Sequence, residues 1–210
     1  TGPNHNTKRL IVVSAANVDS YDVDHLANSD VSPIEDPGQS WNALTVGAFT
    51  QLDQVPSDPS FHSYSLVAPA GELSPHSRTS LLFGDKPWPI KPEICLEGGN
   101  VLLDRQGFAE PKHPLLSLRS TGIRNDVDLT SANATSAATA QAARLAALTM
   151  SRYPSYWPET VRALLVHEAR WTRPMQEHLN ACGKKKSKRA RLLRRYGWGV
   201  PTEEAVLTSS

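Results

Sequence analysis

The sequence predicts an α/β fold, a mostly parallel sheet with helices on both faces. Three observations carry this. Short apolar, often β-branched runs recur through the first half, separated by turn residues. The second half carries apolar residues at helical spacing. Hydrophobic residues make up 39% of the 210, enough for a core, and no apolar run approaches the ~18 residues of a membrane span. Strands alternating with helices stack as α/β layers.

Arg9–Ser14 (RLIVVS) reads as a buried strand, with the small Ala15 and Ala16 behind it. Residues 18–41 are rich in Asp, Ser, Asn and Pro and read as loop, with room for one helical turn. Ala43–Phe49 is a second strand and Tyr64–Ala68 a third, ended by Pro69 and Gly71. Residues 51–62 and 74–92 read as loops. Glu93–Leu96 is a short strand stopped by Gly98 and Gly99. From Ala132 to Ala147 nine of 16 residues are Ala, which predicts a helix apolar around most of its circumference and buried in the core. Pro158 starts an amphipathic helix over roughly 159–170. A further helical stretch, 172–181, ends at Gly183.

The formal charge is +1, from 22 basic and 21 acidic residues. Residues 184–195 (KKKSKRARLLRR) hold eight of those cations and no acid, so the rest of the chain stands at −7. Such a run reads as a solvated loop, or as an amphipathic helix with Leu192 and Leu193 turned inward. A nucleic-acid-binding module is the less favoured alternative. Cys95 and Cys182 read as reduced thiols, which tilts localisation slightly toward the cytoplasm over secretion. Neither has a Cys or His at ligand spacing, so no metal and no cofactor is expected. The opening TGPNHNTKRL lacks a signal-peptide pattern, and a processed chain or a piece of a longer one is expected.

The chemistry concentrates in Ala134-Thr135-Ser136-Ala137-Ala138-Thr139-Ala140, at the start of the Ala-rich helix. A serine there sits among unpaired N–H groups at the positive end of the helix dipole. That setting favours an anion beside the hydroxyl. Taken alone, Ser136 reads as a helix cap or a small core residue and Asn17 as a turn residue.

The stretch resembles the nucleophile motif Gly-Thr-Ser-x-Ala-x-Pro of the subtilisin-like serine proteases, the subtilases. Four more segments resemble the family in order. They are Val12–Asn17 (VVSAAN), Leu44–Ala48 (LTVGA), Ser74–Thr79 with Ile90–Gly98, and Tyr153–Val161 (YPSYWPETV). The tail Tyr196–Pro201 resembles the family's closing Gly-x-Gly element. The resemblance spans about residues 9–206. It implies a partial subtilisin-like domain over 1–210, the C-terminal portion of a catalytic domain, with 184–195 a surface segment.

By the same resemblance Ser136 is the nucleophile of a serine endopeptidase and Asn17 its oxyanion donor. The partners it implies are a polypeptide substrate and the missing N-terminal part of the domain. The family's Asp and His elements precede its Asn strand, and nothing before Asn17 matches them. No histidine of this chain is therefore assigned as base. The alternative is a subtilase-like interaction domain without catalysis. Ala16 and Ala134 stand where the family has Gly, and the expectation is that both take backbone angles open to residues with a Cβ. Asn133-Ala134-Thr135 matches a glycosylation pattern but reads as a false positive, since a glycan there would block Ser136.

Overall fold

The computed structural model describes residues 9–84, 87–124 and 127–208. In chain order the elements are β1 (Val12–Ser14), α1 (His25–Asp30), β2 (Leu44–Phe49), β3 (Tyr64–Leu66), β4 (Ile94–Glu97), β5 (Leu102–Asp104), β6 (Ala109–Glu110), β7 (Leu118–Arg124) and β8 (Val127–Ala132). Helices α2 (Ala134–Arg152), α3 (Pro158–His167), α4 (Arg173–Ala181), α5 (Lys186–Tyr196) and α6 (Glu203–Thr208) follow.

The centre is a parallel sheet in the order β1-β2-β4, with Val46 opposite Ile94 and Val13 opposite Thr45. Successive side chains of a strand point to opposite faces, and two apolar clusters divide accordingly. Leu44, Val46, Ala48 and Ile94 pack against Ala138, Ala142 and Leu145 of α2, Val161 and Leu165 of α3, and Val206 of α6. Phe49 and Cys95 pack the other way, against Met175 of α4 and Leu192 and Tyr196 of α5. Helices therefore cover both faces, and β2 is buried along its whole length. Buried on both faces, it reads in sequence as a continuous small-apolar run, as an inner parallel strand should.

The sheet content is more mixed than the sequence predicts. β3-β5-β6 form an antiparallel sheet, and β7-β8 an antiparallel hairpin. Helix α2 is also less enclosed than its alanine content predicts. Its buried face is Ala134, Thr135, Ala138, Ala142, Leu145, Ala146 and Thr149. Ser136, Ala140, Ala143, Ala147 and Met150, spaced by four and three residues, are exposed in one line. The cationic run forms α5, with Leu192 buried and Leu193 half-buried. Its end is held by a two-point pairing of the Arg195 guanidinium with Asp30, at 2.8 and 2.6 Å. The closing tail runs beside β4: Trp198 N–H donates to Glu93 O at 2.8 Å and Cys95 N–H to Gly199 O at 2.8 Å. Gly199, at φ +106°, is obligatory there, because a Cβ would lie 2.4 Å from Arg170 O.

A buried charge cluster pins this core. Lys91, 2% exposed, donates from Nζ to Glu93 Oε1 at 2.6 Å and to Ala43 O at 2.8 Å. Glu93 Oε2 accepts the Thr45 N–H at 2.7 Å, and Arg162 of α3 donates to Oε1. Burial lowers the Lys91 pKa, and the adjacent Glu93 carboxylate opposes that shift. Removing one member of such a cluster leaves a buried charge under-compensated. Lys91→Met is expected to lower unfolding free energy by about 3 kcal/mol. Urea denaturation checks this, and a loss below about 1 kcal/mol would show that Arg162 alone suffices for Glu93.

Candidate active site

The site forms where the end of β1 meets the start of α2. Past β1 the chain runs through Ala15 to Ala16, which turns into the left-handed region at φ +66°, and presents Asn17 at the surface. The first residue of α2, Ala134, is also left-handed, at φ +64°. Both alanines thus keep the backbone shape for which glycine is suited, contrary to the expectation that a Cβ would change it. Ala134 N–H donates to Gly98 O at 2.6 Å. Gly98 permits that approach, since a Cβ there would sit 2.4 Å from the Ala48 Cβ.

Two residues 118 apart in sequence then meet. Asn17 Oδ1 accepts from the Thr135 N–H at 3.0 Å and from the Thr135 hydroxyl at 2.7 Å. A backbone N–H can only donate, so the amide atom facing Thr135 must be the oxygen. Nδ2 is left as the outward end, and it makes no hydrogen bond among the described residues. Ser136, the next residue, is exposed in the first turn of α2. Neither its hydroxyl nor its N–H is hydrogen-bonded among the described residues. Together Ser136 N–H and Asn17 Nδ2 are two unused donors at a helix N-terminus, beside a hydroxyl. Such donors suit a negative charge developing on oxygen. Ser136 also lines an open cleft of about 310 Å³ with Val12, Val13, Ser14, Pro37 and Thr139.

Sequence reasoning missed the support beneath Asn17. Arg78, 7% exposed, donates from Nε to Asn17 O at 2.5 Å. Its other nitrogens reach Pro33 O, Asp19 and Glu35. The Arg78 N–H donates to Ala16 O at 3.4 Å. The signal was a single cation within a run of small polar residues, and its acids lie far off in sequence.

No histidine hydrogen-bonds Ser136 among the described residues, and His5 lies outside them. His25 and His76 are buried. Burial pushes the His76 pKa down to about 4, and its Nδ1 is paired with the Tyr21 hydroxyl at 2.8 Å. His178 pairs with Glu72 at 2.9 Å. Both cysteines are free, and burial, with the Glu72 charge adding, pushes the Cys95 thiol up to about 12. No group of His, Cys, Asp and Glu among the described residues could hold a metal ion. No helix among them is long and apolar enough to cross a membrane. Asn133 Nδ2 donates to Pro111 O.

The subtilase family, peptidase S8, matches residues 2–199. The chain belongs to the subtilase family. It is similar in structure to a protease from Pseudoalteromonas arctica, with 13% identity and a TM-score of 0.57 over 96% of this chain and 43% of that one. MycP1 with its N-terminal propeptide removed aligns at 20% identity and a TM-score of 0.49, over 96% of this chain and 51% of that one. MycP1 from Mycobacterium smegmatis aligns at 18% identity and a TM-score of 0.48, over 97% and 42%. No curated protein matches the sequence. This subtilase spans about half, or less, of the solved relatives it resembles.

The joint can be tested at its two alanines and its threonine. Ala16→Gly and Ala134→Gly each relieve a left-handed alanine, less the entropy glycine adds to the unfolded chain, for a net gain of about 0.5–1 kcal/mol. A higher urea midpoint at unchanged slope would register it, and a lower midpoint would refute it. Thr135→Val deletes one of the two bonds to Asn17 Oδ1 and is expected to cost about 1 kcal/mol in the same assay.

Proposed function

We propose that this subtilase is the nucleophile-bearing part of a serine endopeptidase. Ser136 Oγ attacks the carbonyl carbon of a peptide bond and forms an acyl-enzyme. Asn17 Nδ2 and the Ser136 N–H donate to the oxyanion. A histidine from the part of the catalytic domain outside this chain removes the hydroxyl proton and returns it to the leaving amine. An aspartate from the same part orients that histidine.

The observation that carries this reading is the Thr135–Asn17 contact. It orients an otherwise free amide beside an exposed serine at a helix start. The open surface supports a second half. β1 pairs only with β2 among the described residues and is half-buried, and Ile11 beside it is 59% exposed. The exposed line of Ser136, Ala140, Ala143, Ala147 and Met150 continues on α2. An apolar helix stripe and an unpaired parallel strand are surfaces a layered fold covers. The upstream half of the catalytic domain is the occupant we assign.

A fluorophosphonate probe on the full-length protein tests this. Labelling is expected, lost in Ser136→Ala, and slowed about 10²-fold in Asn17→Ala, the scale known for the corresponding donor of subtilisin itself. Absence of labelling, or labelling that survives Ser136→Ala, would overturn the assignment.

A further inference from the structure

The cations of α5 are the largest feature that the peptidase reading leaves unused. Lys184, Lys185, Lys186, Lys188 and Arg189 are all exposed, and none forms an ion pair among the described residues. They crowd the start of a helix whose first turn holds no acid. Cations are disfavoured at the positive end of a helix dipole, and like charges at close helical spacing repel. The second half of the helix suffices to anchor it, through Leu192, Tyr196 and the Arg195–Asp30 pair. The cationic first half therefore weakens the helix without serving its packing.

Beside these cations lies an apolar groove of about 240 Å³ between α4 and α5. Trp171, Leu179, Leu193 and Trp198 line it, with Arg189 at its wall. Lys186, Arg189 and Leu193 share one helix face. Trp198 is 46% exposed, and it also lines a second hollow of about 530 Å³ that contains Arg170 and His167. The Trp171 Nε1–H is already spent on Gly197 O at 3.0 Å, so Trp171 offers the groove carbon surface alone. No carboxylate among the described residues lines either hollow.

We propose that this groove docks an acidic polypeptide segment carrying a large aliphatic or aromatic residue. The apolar residue enters between Leu179, Leu193 and the two tryptophans. The flanking carboxylates pair with Lys186, Arg189 and the neighbouring lysines. Charge complementarity sets the partner's sign, and the groove wall sets its anchor. A nucleic acid fits less well, because Leu179 and Leu193 take up half of the apolar lining and give a base no flat face to stack on. The site is separate from Ser136, so its failure and that of the peptidase reading are independent.

The test is fluorescence anisotropy on the full chain. The probe is a fluorescein-labelled decapeptide of Glu and Asp with Leu-Phe at its centre. Controls are the same peptide with Ser-Ser at the centre and a labelled oligothymidylate. Saturable, salt-sensitive binding is expected, at least about tenfold weaker for the Ser-Ser peptide. Lys186→Glu with Arg189→Glu is expected to weaken binding by about tenfold or more, as is Trp198→Ala. The first of these variants changes only exposed side chains and so does not depend on a packing change. No binding, or equal binding of the Ser-Ser peptide, would overturn the proposal. So would unchanged affinity in Trp198→Ala, or tighter binding of the oligothymidylate.

Discussion

The structure turns on one junction, where the N-terminus of α2 is pressed onto the carboxyl ends of β1 and β4. Three constraints meet there. Ala134 reaches Gly98 O only because Gly98 has no side chain to hold the helix off Ala48. Ala16 and Ala134 turn through left-handed angles that alanine adopts at a cost. Asn17 then closes the junction through two hydrogen bonds to Thr135. Strain of this kind persists only where the surroundings over-determine it. Here the surroundings are the buried face of α2 against Leu44, Val46, Ala48 and Ile94.

The junction is in turn fixed from beneath by buried charge. Arg78 ties the Asn17 carbonyl to Pro33, Asp19 and Glu35, so the loop after β1 is gripped from three directions. Lys91, Glu93 and Arg162 do the same for β2, β4 and α3. Neither cluster need add net stability, because desolvating the charges offsets much of their attraction. Each makes one arrangement of loops far better satisfied than a shifted one. The Asn17 amide is thereby held in one position relative to the start of α2.

Much of this was legible in the sequence, for physical reasons. The central strand β2 is a nearly continuous apolar run, β4 is a short one bounded by Pro92 and Gly98, and α3 and α4 carry helical periodicity between a proline start and a Gly183 stop. Ser136 and Asn17 were legible as a pair only through the resemblance of the surrounding motifs to those of the subtilases, since each alone reads as a cap or a turn. The region 100–131 was not read as strands. β5 and β6 span only three and two residues, and β7 (LRSTGIR) and β8 (VDLTSA) are mostly polar and form a largely exposed hairpin. Too little is buried there for a pattern to form. The alanine count of α2 overstated its burial, because alanine suits a helix whether it faces core or solvent. The left-handed alanines were illegible for the opposite reason. Propensity argues against that angle, and only the packing around Gly98 and Thr135 shows why it is kept.

The near-neutral net charge conceals a separation that the fold makes spatial. Outside 184–195 the chain carries −7, and the structure spends several of those acids on internal work, at Asp30, Glu72, Glu93 and Glu97. The cations of α5 divide differently. Arg194 and Arg195 are turned back onto Trp88, Pro89 and Asp30, while the five at the helix start find no acid among the described residues. A helix could have been anchored by Leu192 and Tyr196 with a neutral first turn and would have been the more stable for it. An exposed cationic surface that lowers the stability of its own helix, and that borders a groove floored by tryptophan and leucine, has its explanation in what it meets outside the chain. The junction of β1 with α2 has its explanation inside the chain, in a contact between residues 118 apart. The two features share one fold but answer to different constraints, so either can be altered while the other stays intact.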